Sequence, residues 1–430
     1  MFMFHSLPTA ERLASTSISR IDTGDTGWLL ASTALAMLMT PALAFFYGGM
    51  VRRKNVLSVL MPCFAALCIV SLQWVCLGYS LAFGPDTGAG LIGGLDWIFL
   101  RGVGLDPRPD YAATVPHQAF MIFQMMFAVI TPALILGAVA ERMKFSAFLI
   151  FSLLWTTLIY DPGCHWVWGM GGFLRKAGVL DFAGGTVINI NAGMASLAAA
   201  LVVRRRLGYP KIVSPPHNLP FAVLGAGLLW FGWFGFNAGS ALGAGRLATS
   251  ALVMTHLAAA AAGLTWAGLE GCFHQRATML GMVTGAVAGL AAITPAAGFV
   301  NLYGALAIGI IASVLCYFSV CFAKRKLGYD DTLDAFGING VAGAWGVLAT
   351  GLFATRSVNP AGADGWFYGN PAQFLIQLKA TLIIMGFAFA GTWMLLRLVD
   401  KTVGLQVGEH EERIGLDLTQ HRETGYAIRE

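Results

Sequence analysis

Two asparagines lie inside long apolar stretches of this sequence, where polar side chains are rare. Asn189 belongs to the run I-N-I-N-A-G at 188–193 and Asn339 to the run I-N-G-V-A-G at 338–343, so the pattern I-N-x-x-A-G occurs twice. An amide offers a carbonyl acceptor and an NH2 donor pair, but it does not exchange protons by titration. The two side chains are therefore suited to hydrogen bonding, either with each other across a lumen or as a bond between two membrane helices.

Side-chain sets for enzyme chemistry are missing from the same sequence. It contains no His-Glu-x-x-His zinc motif, no Gly-x-Ser-x-Gly elbow and no pair of aspartates in the middle of an apolar stretch. Its seven cysteines include no C-x-x-C pair, so neither a disulfide framework nor a zinc site is indicated. We expect a protein that is not an enzyme and that uses no cofactor or metal.

The composition defines the elements that must position the two asparagines. Of the 430 residues, 57% are hydrophobic and only 11% are charged, against ~25% charged residues in soluble domains, so a soluble globular protein is excluded. A helix of ~20 apolar residues crosses a bilayer, and the long uncharged runs lack the alternating pattern of a transmembrane β-barrel. We predict an all-α polytopic membrane protein with eleven transmembrane helices. The predicted spans are 28–47, 56–83, 118–139, 145–160, 184–203, 221–239, 247–269, 279–294, 302–322, 335–353 and 373–399.

The charged residues of the loops predict the orientation of these helices. One set of alternate loops carries thirteen lysines and arginines, and the other set carries six. By the positive-inside rule the first set is cytoplasmic, which places the N-terminus outside and the C-terminus inside. The net charge of +5 therefore reflects topology rather than a nucleic-acid partner. We divide the chain into a polar N-terminal extension at 1–24, a membrane domain at 25–399 and a charged cytoplasmic tail at 400–430.

The repeated motif indicates an internal symmetry. Its two copies lie in the fifth and tenth predicted spans, and each follows an aspartate, Asp181 in the first copy and Asp334 in the second. Because five spans, an odd number, separate the copies, the second unit is inverted in the membrane. Inverted repeats of transporters place their site near the bilayer midplane between equivalent helices, where both asparagines are expected.

Eight stretches of sequence, in order, resemble the ammonium transporter family (Amt/MEP/Rh), and the resemblance extends from residue 22 to residue 426. The stretches are D-T-G-D-T-G-W at 22–28, F-Y-G-G-M-V-R-R-K-N at 46–55, Q-M-M-F-A at 124–128, G-A-V-A-E-R-M-K-F-S at 137–146, H-W-V-W-G at 165–169, D-F-A-G-G-T at 181–186, W-F-G-F-N-A-G-S at 233–240 and T-P-A-A-G-F at 294–299. The resemblance implies two inverted five-helix repeats plus a final helix, a homotrimer with one pore in each subunit, and transport of ammonium or methylammonium.

The resemblance also implies site residues. Trp168, Phe127 and Ser240 match the aromatic cage and hydroxyl of the family's outer cation site. Phe127 and Phe236 match the two stacked rings that close the pore below, and Asp181 matches an aspartate that shapes the vestibule from beneath. The tail at 407–426 resembles the family's C-terminal segment, which couples subunits and contributes to docking of a PII-type signalling protein. The implied location is the plasma membrane, in bacteria the inner membrane.

Each of these residues has a purely structural alternative. Trp168 suits an interfacial aromatic belt, Phe127 and Phe236 suit core packing, and Ser240 suits a close helix contact. Motif position favours the site roles, because an aromatic face attracts a desolvated ammonium ion by ~2 kcal/mol or more. For Asp181 we expect a cap on the N–H groups of the fifth span, which is compatible with a role in the vestibule.

One departure from the family affects the chemistry directly. The family normally has a histidine at each of the positions that are Asn189 and Asn339 in this sequence. Histidine exchanges protons near neutral pH because its usual pKa is ~6.5, whereas moving an intact cation into a dry apolar lumen costs tens of kcal/mol in the Born limit. Three outcomes remain open: a hydrated pore that passes intact ammonium, slower passage of ammonia with its proton on a water path near Asp181, or a closed pore in an ammonium sensor. Transport is favoured because the vestibule, gate and tail motifs are present.

Overall fold

The structure is a computed structural model that describes residues 21–211 and 215–426, and it is mostly helical. Within these residues, ten helical spans are long and apolar enough to cross a membrane, and an eleventh, Met279–Ile293, is shorter. The all-α class and the count of eleven are thereby confirmed. The predicted extension at 1–24 lies mostly outside the described residues. The spans are α1 (Thr23–Met50), α2 (Arg53–Phe83), α3 (His117–Val139), α4 (Phe145–Lys176), α5 (Gly185–Val202), α6 (Leu219–Gly239), α7 (Arg246–His274), α8 (Met279–Ile293), α9 (Leu302–Leu327), α10 (Phe336–Phe353) and α11 (Pro371–Val403).

The fourth span is longer than the sequence indicates, so its predicted end at residue 160 is wrong. The regular helix passes through a π-turn at Thr156–Tyr160 and continues as Asp161–Trp168. Pro162 follows directly after the π-turn, at the second residue of the new segment; because proline lacks an N–H and cannot donate back along the helix, a helical irregularity at this point is expected. The consequence is that Trp168 is the last residue of a helical segment within α4, before the break at 169–172, rather than a loop residue.

The helices form two groups of five, α1–α5 and α6–α10, and α11 packs against α4, α5 and α10. Small residues allow close packing between the groups, as lipid-embedded helices require. A Cβ atom at Gly225 of α6, for example, would lie 2.2 Å from the backbone nitrogen of Phe46 in α1. The inner surfaces of both groups face a common centre in which the two I-N-x-x-A-G motifs meet.

The two ends of the bundle are different. One end carries a short antiparallel pair, β1 (Pro107–Arg108) and β2 (Ala112–Pro116), in the loop between α2 and α3. We call it the hairpin face. The opposite end carries residues 404–426, which follow α11, and we call it the tail face.

Candidate pore and cation-binding site

A vestibule of about 270 Å³ opens on the hairpin face, and Trp168, Asp181 and Ser240 all line it. The indole N–H of Trp168 donates to the backbone oxygen of Asp181 at 2.9 Å, which fixes the orientation of the ring. The Ser240 hydroxyl donates to the backbone oxygen of Phe236 at 2.9 Å. Because its hydrogen is used in that bond, the Ser240 oxygen presents lone pairs, which suit a ligand that donates N–H groups.

Two stacked phenylalanine rings separate this vestibule from the interior. The ring centroids of Phe127 and Phe236 are 4.0 Å apart with an interplanar angle of 16°, and both side chains are buried. The rings of Phe127 and Trp168 pack in a T-shaped arrangement, with their centroids 5.8 Å apart. Of the three residues expected at the cation site, Trp168 and Ser240 line the vestibule, whereas Phe127 lies directly beneath it as part of the closure.

A cavity of about 80 Å³ lies on the other side of Phe236 and extends towards the tail face. Asn189 and Asn339 both line it, among mainly apolar side chains. Asn189 Nδ2 donates to Asn339 Oδ1 at 3.2 Å, and Asn339 Nδ2 donates to the backbone oxygen of Ala335 at 3.2 Å. Asn189 Oδ1 is buried and has no hydrogen-bond partner among the described residues. The cavity therefore contains an amide acceptor and enough space for several molecules the size of water.

The glycines of the repeated motif explain how the two asparagines meet. A Cβ atom at Gly193 in α5 would lie 2.2 Å from the backbone of Gly340 in α10, and one at Gly343 would lie 2.8 Å from the Cβ of Asn189. Only glycine permits helix backbones to approach this closely. Each copy of the pattern I-N-x-x-A-G therefore contains both an asparagine and, four residues later, the glycine at which the other helix packs closely.

Aspartates at the starts of α5 and α10 show the internal symmetry. Asp181 Oδ1 accepts from the backbone nitrogens of Gly184 and Gly185 at 2.8 and 2.7 Å, and Asp181 Oδ2 accepts from that of Thr186 at 2.8 Å. This is the capping contact expected from the sequence. Free N–H groups at the first turn of the helix are satisfied by the carboxylate.

The counterpart of Asp181 in the second repeat is Asp331, so the pairing of Asp181 with Asp334 is wrong. Asp331 Oδ1 and Oδ2 accept from the nitrogens of Ala335 and Phe336, four and five residues further on, as Asp181 does from residues 185 and 186. The spacing to the asparagine is also equal, since each capping aspartate precedes its asparagine by eight residues. That spacing was a usable signal in the sequence.

Sequence reasoning missed two vestibule residues. Gln124 on α3 lines the vestibule, and its buried Oε1 has no partner among the residues described. Arg175 lines it too, and its guanidinium donates to the backbone oxygen of Trp168. Gln124 opens one of the motif stretches, which was a weak signal, while nothing in the sequence indicated that Arg175 contacts Trp168.

The tail is docked on the tail face through buried acidic side chains. Glu412 is fully buried and accepts from Arg204 Nη2 at 2.8 Å and from the Leu207 nitrogen at 2.7 Å. Asp417 Oδ1 accepts from the Ser58 nitrogen at 2.9 Å, at the start of α2. These contacts join the tail to the start of α2 and to the connection between α5 and α6, which links the two five-helix groups.

Charged and polar side chains also connect two chain segments beneath the tail, one at the start of α2 and one between α3 and α4. Glu141 Oε1 accepts from Arg52 Nε and from Asn55 Nδ2, each at 2.9 Å, and Asn55 Oδ1 accepts from the nitrogen of Leu416 in the tail. Burial alone would raise the pKa of Glu141, but the Arg52 charge and these hydrogen bonds lower it below its usual value. Glu141 is therefore ionised at neutral pH.

Comparison with known proteins gives a consistent result. The Ammonium Transporter Family matches residues 27–426. The chain is 51% identical over 403 residues to an ammonium transporter of Bacillus subtilis, with 94% of this chain and 98% of that protein covered. It is 47% identical over 405 residues to Ammonium transporter Amt1 of Archaeoglobus fulgidus, with 94% and 99% covered.

Solved structures are similar as well. Mep2 of Saccharomyces cerevisiae aligns with a TM-score of 0.84 at 35% identity and covers 90% of this chain and 88% of its own. A protein described as a Sensor Amt Protein aligns with a TM-score of 0.85 at 29% identity, covering 92% and 98%. The curated relatives are named as transporters rather than enzymes.

Proposed function

Because this chain belongs to the ammonium transporter family, we propose that it moves ammonium or ammonia across a membrane through a pore that runs past Trp168, Phe127, Phe236 and the two asparagines. The observation that carries the proposal is the amide pair. Asn189 and Asn339 are hydrogen-bonded at 3.2 Å inside a cavity that begins at Phe236.

In this proposal the vestibule selects the cation. Trp168 offers an aromatic face, which attracts an ammonium ion by cation–π interaction, and the Ser240 oxygen accepts one of its N–H bonds. Asp181 directs its carboxylate to the start of α5 and holds Trp168 through its backbone oxygen. Phe127 completes the cage when its ring leaves the stack, and the same movement opens the path to the lumen.

The lumen then passes an intact or partly hydrated ammonium ion. Asparagine has no titrating proton to exchange. A histidine pair can accept the proton that ammonium releases as ammonia separates from it, but the side chains at residues 189 and 339 cannot. The free Asn189 Oδ1 and lumen water replace part of the ion's hydration. For the same reason, potassium is excluded less strictly than in a pore that requires ammonium to release its proton. Potassium and ammonium are both monovalent cations, and a pore that passes intact ions does not distinguish them by proton release.

Proteoliposomes on a solid-supported membrane test this mechanism. We expect ammonium currents from the wild-type protein together with measurable potassium or methylammonium leakage. Asn189→His combined with Asn339→His should sharpen selectivity towards ammonium, and the two single variants serve as controls because each leaves one amide in place. Equal selectivity of the wild type and the double variant would refute the role of the amides.

A sensor function is the second candidate, and the similarity to the protein described as a Sensor Amt Protein favours keeping it. In that case the vestibule binds ammonium, the pore stays closed and the docked tail transmits the signal. Ammonium binding by calorimetry in the absence of any current would establish this alternative. Gene neighbourhood is a further indicator, since a PII-type regulator favours transport and a cyclase or kinase favours sensing.

The remaining proposals concern assembly and location. We place the protein in the plasma membrane, the inner membrane if the source is bacterial, as a homotrimer with the hairpin face outside and the tail face in the cytoplasm. Loop charge supports this orientation, because the lysine- and arginine-rich loops lie on the tail face. The docked tail is the proposed contact for a PII-type signalling protein. Size-exclusion chromatography with light scattering tests the trimer, and pull-down with a PII protein tests the partner.

A further inference from the structure

Asp334 lies at the end of the lumen cavity nearest the tail face. It lines the same cavity as Asn339, five residues further along the chain. Its backbone has a φ of +58°, which is uncommon for a residue other than glycine and tends to persist at functional positions. The side chain is 27% exposed, so the carboxylate lies between the lumen and the solution at the tail face.

The other two aspartates of this segment are engaged elsewhere. Asp330 binds Arg206 through both carboxylate oxygens, and Asp331 caps the start of α10. Asp334 is thus the one carboxylate of this segment that lines the lumen cavity. A cation that leaves the lumen in this direction meets it directly.

The protein itself supplies a cation to this carboxylate. Lys324 Nζ, from the last turns of α9, lies 2.6 Å from Asp334 Oδ1, and the Lys324 side chain is only 16% exposed. The ε-ammonium of lysine is a primary alkylammonium group with three N–H donors. The contact therefore has the same chemistry that methylammonium or ammonium would form with Asp334.

We propose that Asp334 is an exit site for ammonium and primary alkylammonium ions, and that Lys324 is a tethered competitor that occupies the site at rest. An ion that arrives through the lumen displaces the lysine and takes its place on the carboxylate. When the ion departs into solution, Lys324 returns and resists entry of a second ion from the tail side. This inference rests on the proposed function, because it requires a cation in the lumen.

The proposal predicts an asymmetric kinetic effect. Removing the lysine frees the carboxylate for ions approaching from the tail face and leaves the Trp168 vestibule untouched. An ion pair of this exposure contributes up to ~1 kcal/mol, so the tail-side half-saturation concentration should fall by about fivefold. The half-saturation concentration measured from the hairpin side should stay the same.

The experiment uses the full chain in proteoliposomes of defined orientation, with ammonium and then methylammonium applied to one side at a time. Lys324→Met should lower the tail-side half-saturation concentration for both ions, and Lys324→Arg should resemble the wild type because it keeps a tethered cation. Asp334→Asn should raise the tail-side value, and asparagine tolerates the positive φ at this position. Lys326→Met is the matched control, because Lys326 is an exposed lysine two residues further along α9.

The possible outcomes distinguish failure of the exit site from failure of the proposed conduction. Currents whose tail-side half-saturation concentration is unchanged by Lys324→Met, or changed equally by Lys326→Met, would overturn the exit site and leave the proposed conduction intact. If Asp334→Asn does not fold, the comparison of Lys324→Met with Lys324→Arg decides alone. A wild-type protein without current would overturn the proposed conduction, and the exit site with it.

Discussion

Replacing Gly193 by alanine tests whether the close crossing of α5 and α10 holds the amide pair together. A Cβ atom at this position would lie 2.2 Å from both Cα and N of Gly340. These are backbone atoms, so no side-chain rotation relieves the contact. The helices must separate by about 1.2 Å before the distance reaches the 3.4 Å at which ordinary van der Waals contact begins.

That separation is large compared with the tolerance of the hydrogen bond. Asn189 Nδ2 and Asn339 Oδ1 are 3.2 Å apart, and a shift of about 1.2 Å along the line that joins these atoms lengthens the distance to about 4.4 Å, outside hydrogen-bonding range. Overpacking of this kind costs ~1–3 kcal/mol. We therefore expect Gly193→Ala to lower the thermal unfolding midpoint and to alter the ratio of ammonium to potassium current.

Gly386→Ala is the matched control. Gly386 lies on the exposed side of α11, and a Cβ atom there would meet nothing within 4 Å. Because alanine favours a helix over glycine by up to ~1 kcal/mol, this variant should be neutral or slightly more stable. The assays are a fluorescence melt in detergent and paired currents in liposomes. If Gly193→Ala had the melting temperature and ion selectivity of the wild type, the helix crossing would not position the amides.

Three further predictions concern the vestibule, the tail and pH. Trp168→Leu should raise the half-saturation concentration for ammonium roughly thirtyfold, since one desolvated cation–π contact is worth ~2 kcal/mol; an unaltered value would return Trp168 to the aromatic belt. Deleting 405–430 should depress transport, because the deletion removes the buried Glu412 and its contacts with Arg204. Light scattering should still detect the trimer. Full uptake by the truncated chain would argue against a role of the tail in coupling the subunits. The pKa of Glu141 is lowered from its usual 4.5 in the folded protein, so its stabilising contribution is fully present above that pH and is lost as the pH falls through the folded value. Protection of the tail amides against hydrogen exchange, corrected for the intrinsic exchange rate at each pH, should therefore decrease as the pH is lowered below 4.5, and Glu141→Gln should remove that part of the decrease.

The sequence by itself determined the class of protein and most of the spans. Apolar stretches long enough to cross a bilayer lie between charged loops, and such stretches become helices because every backbone polar group must be satisfied within the membrane. The two I-N-x-x-A-G motifs also predicted that Asn189 and Asn339 lie in equivalent helices. These features depend on short stretches of sequence or on a repeated motif, so they can be recognised without knowing which distant residues are in contact.

Contacts between distant parts of the chain were decided only by the tertiary structure. The amides that meet are 150 residues apart, and their distance depends on how closely two glycine surfaces pack. The identity of the second capping aspartate depended on which carboxylate reaches the N–H groups of α10, and Asp334, three residues later, was free to pair with Lys324 instead. A sequence states which side chains are polar. Whether a polar side chain faces a helix end, a lumen or another charge depends on the packing of helices around it. Burying a polar group costs free energy unless it forms a hydrogen bond or an ion pair, and the tertiary structure decides which group provides that partner.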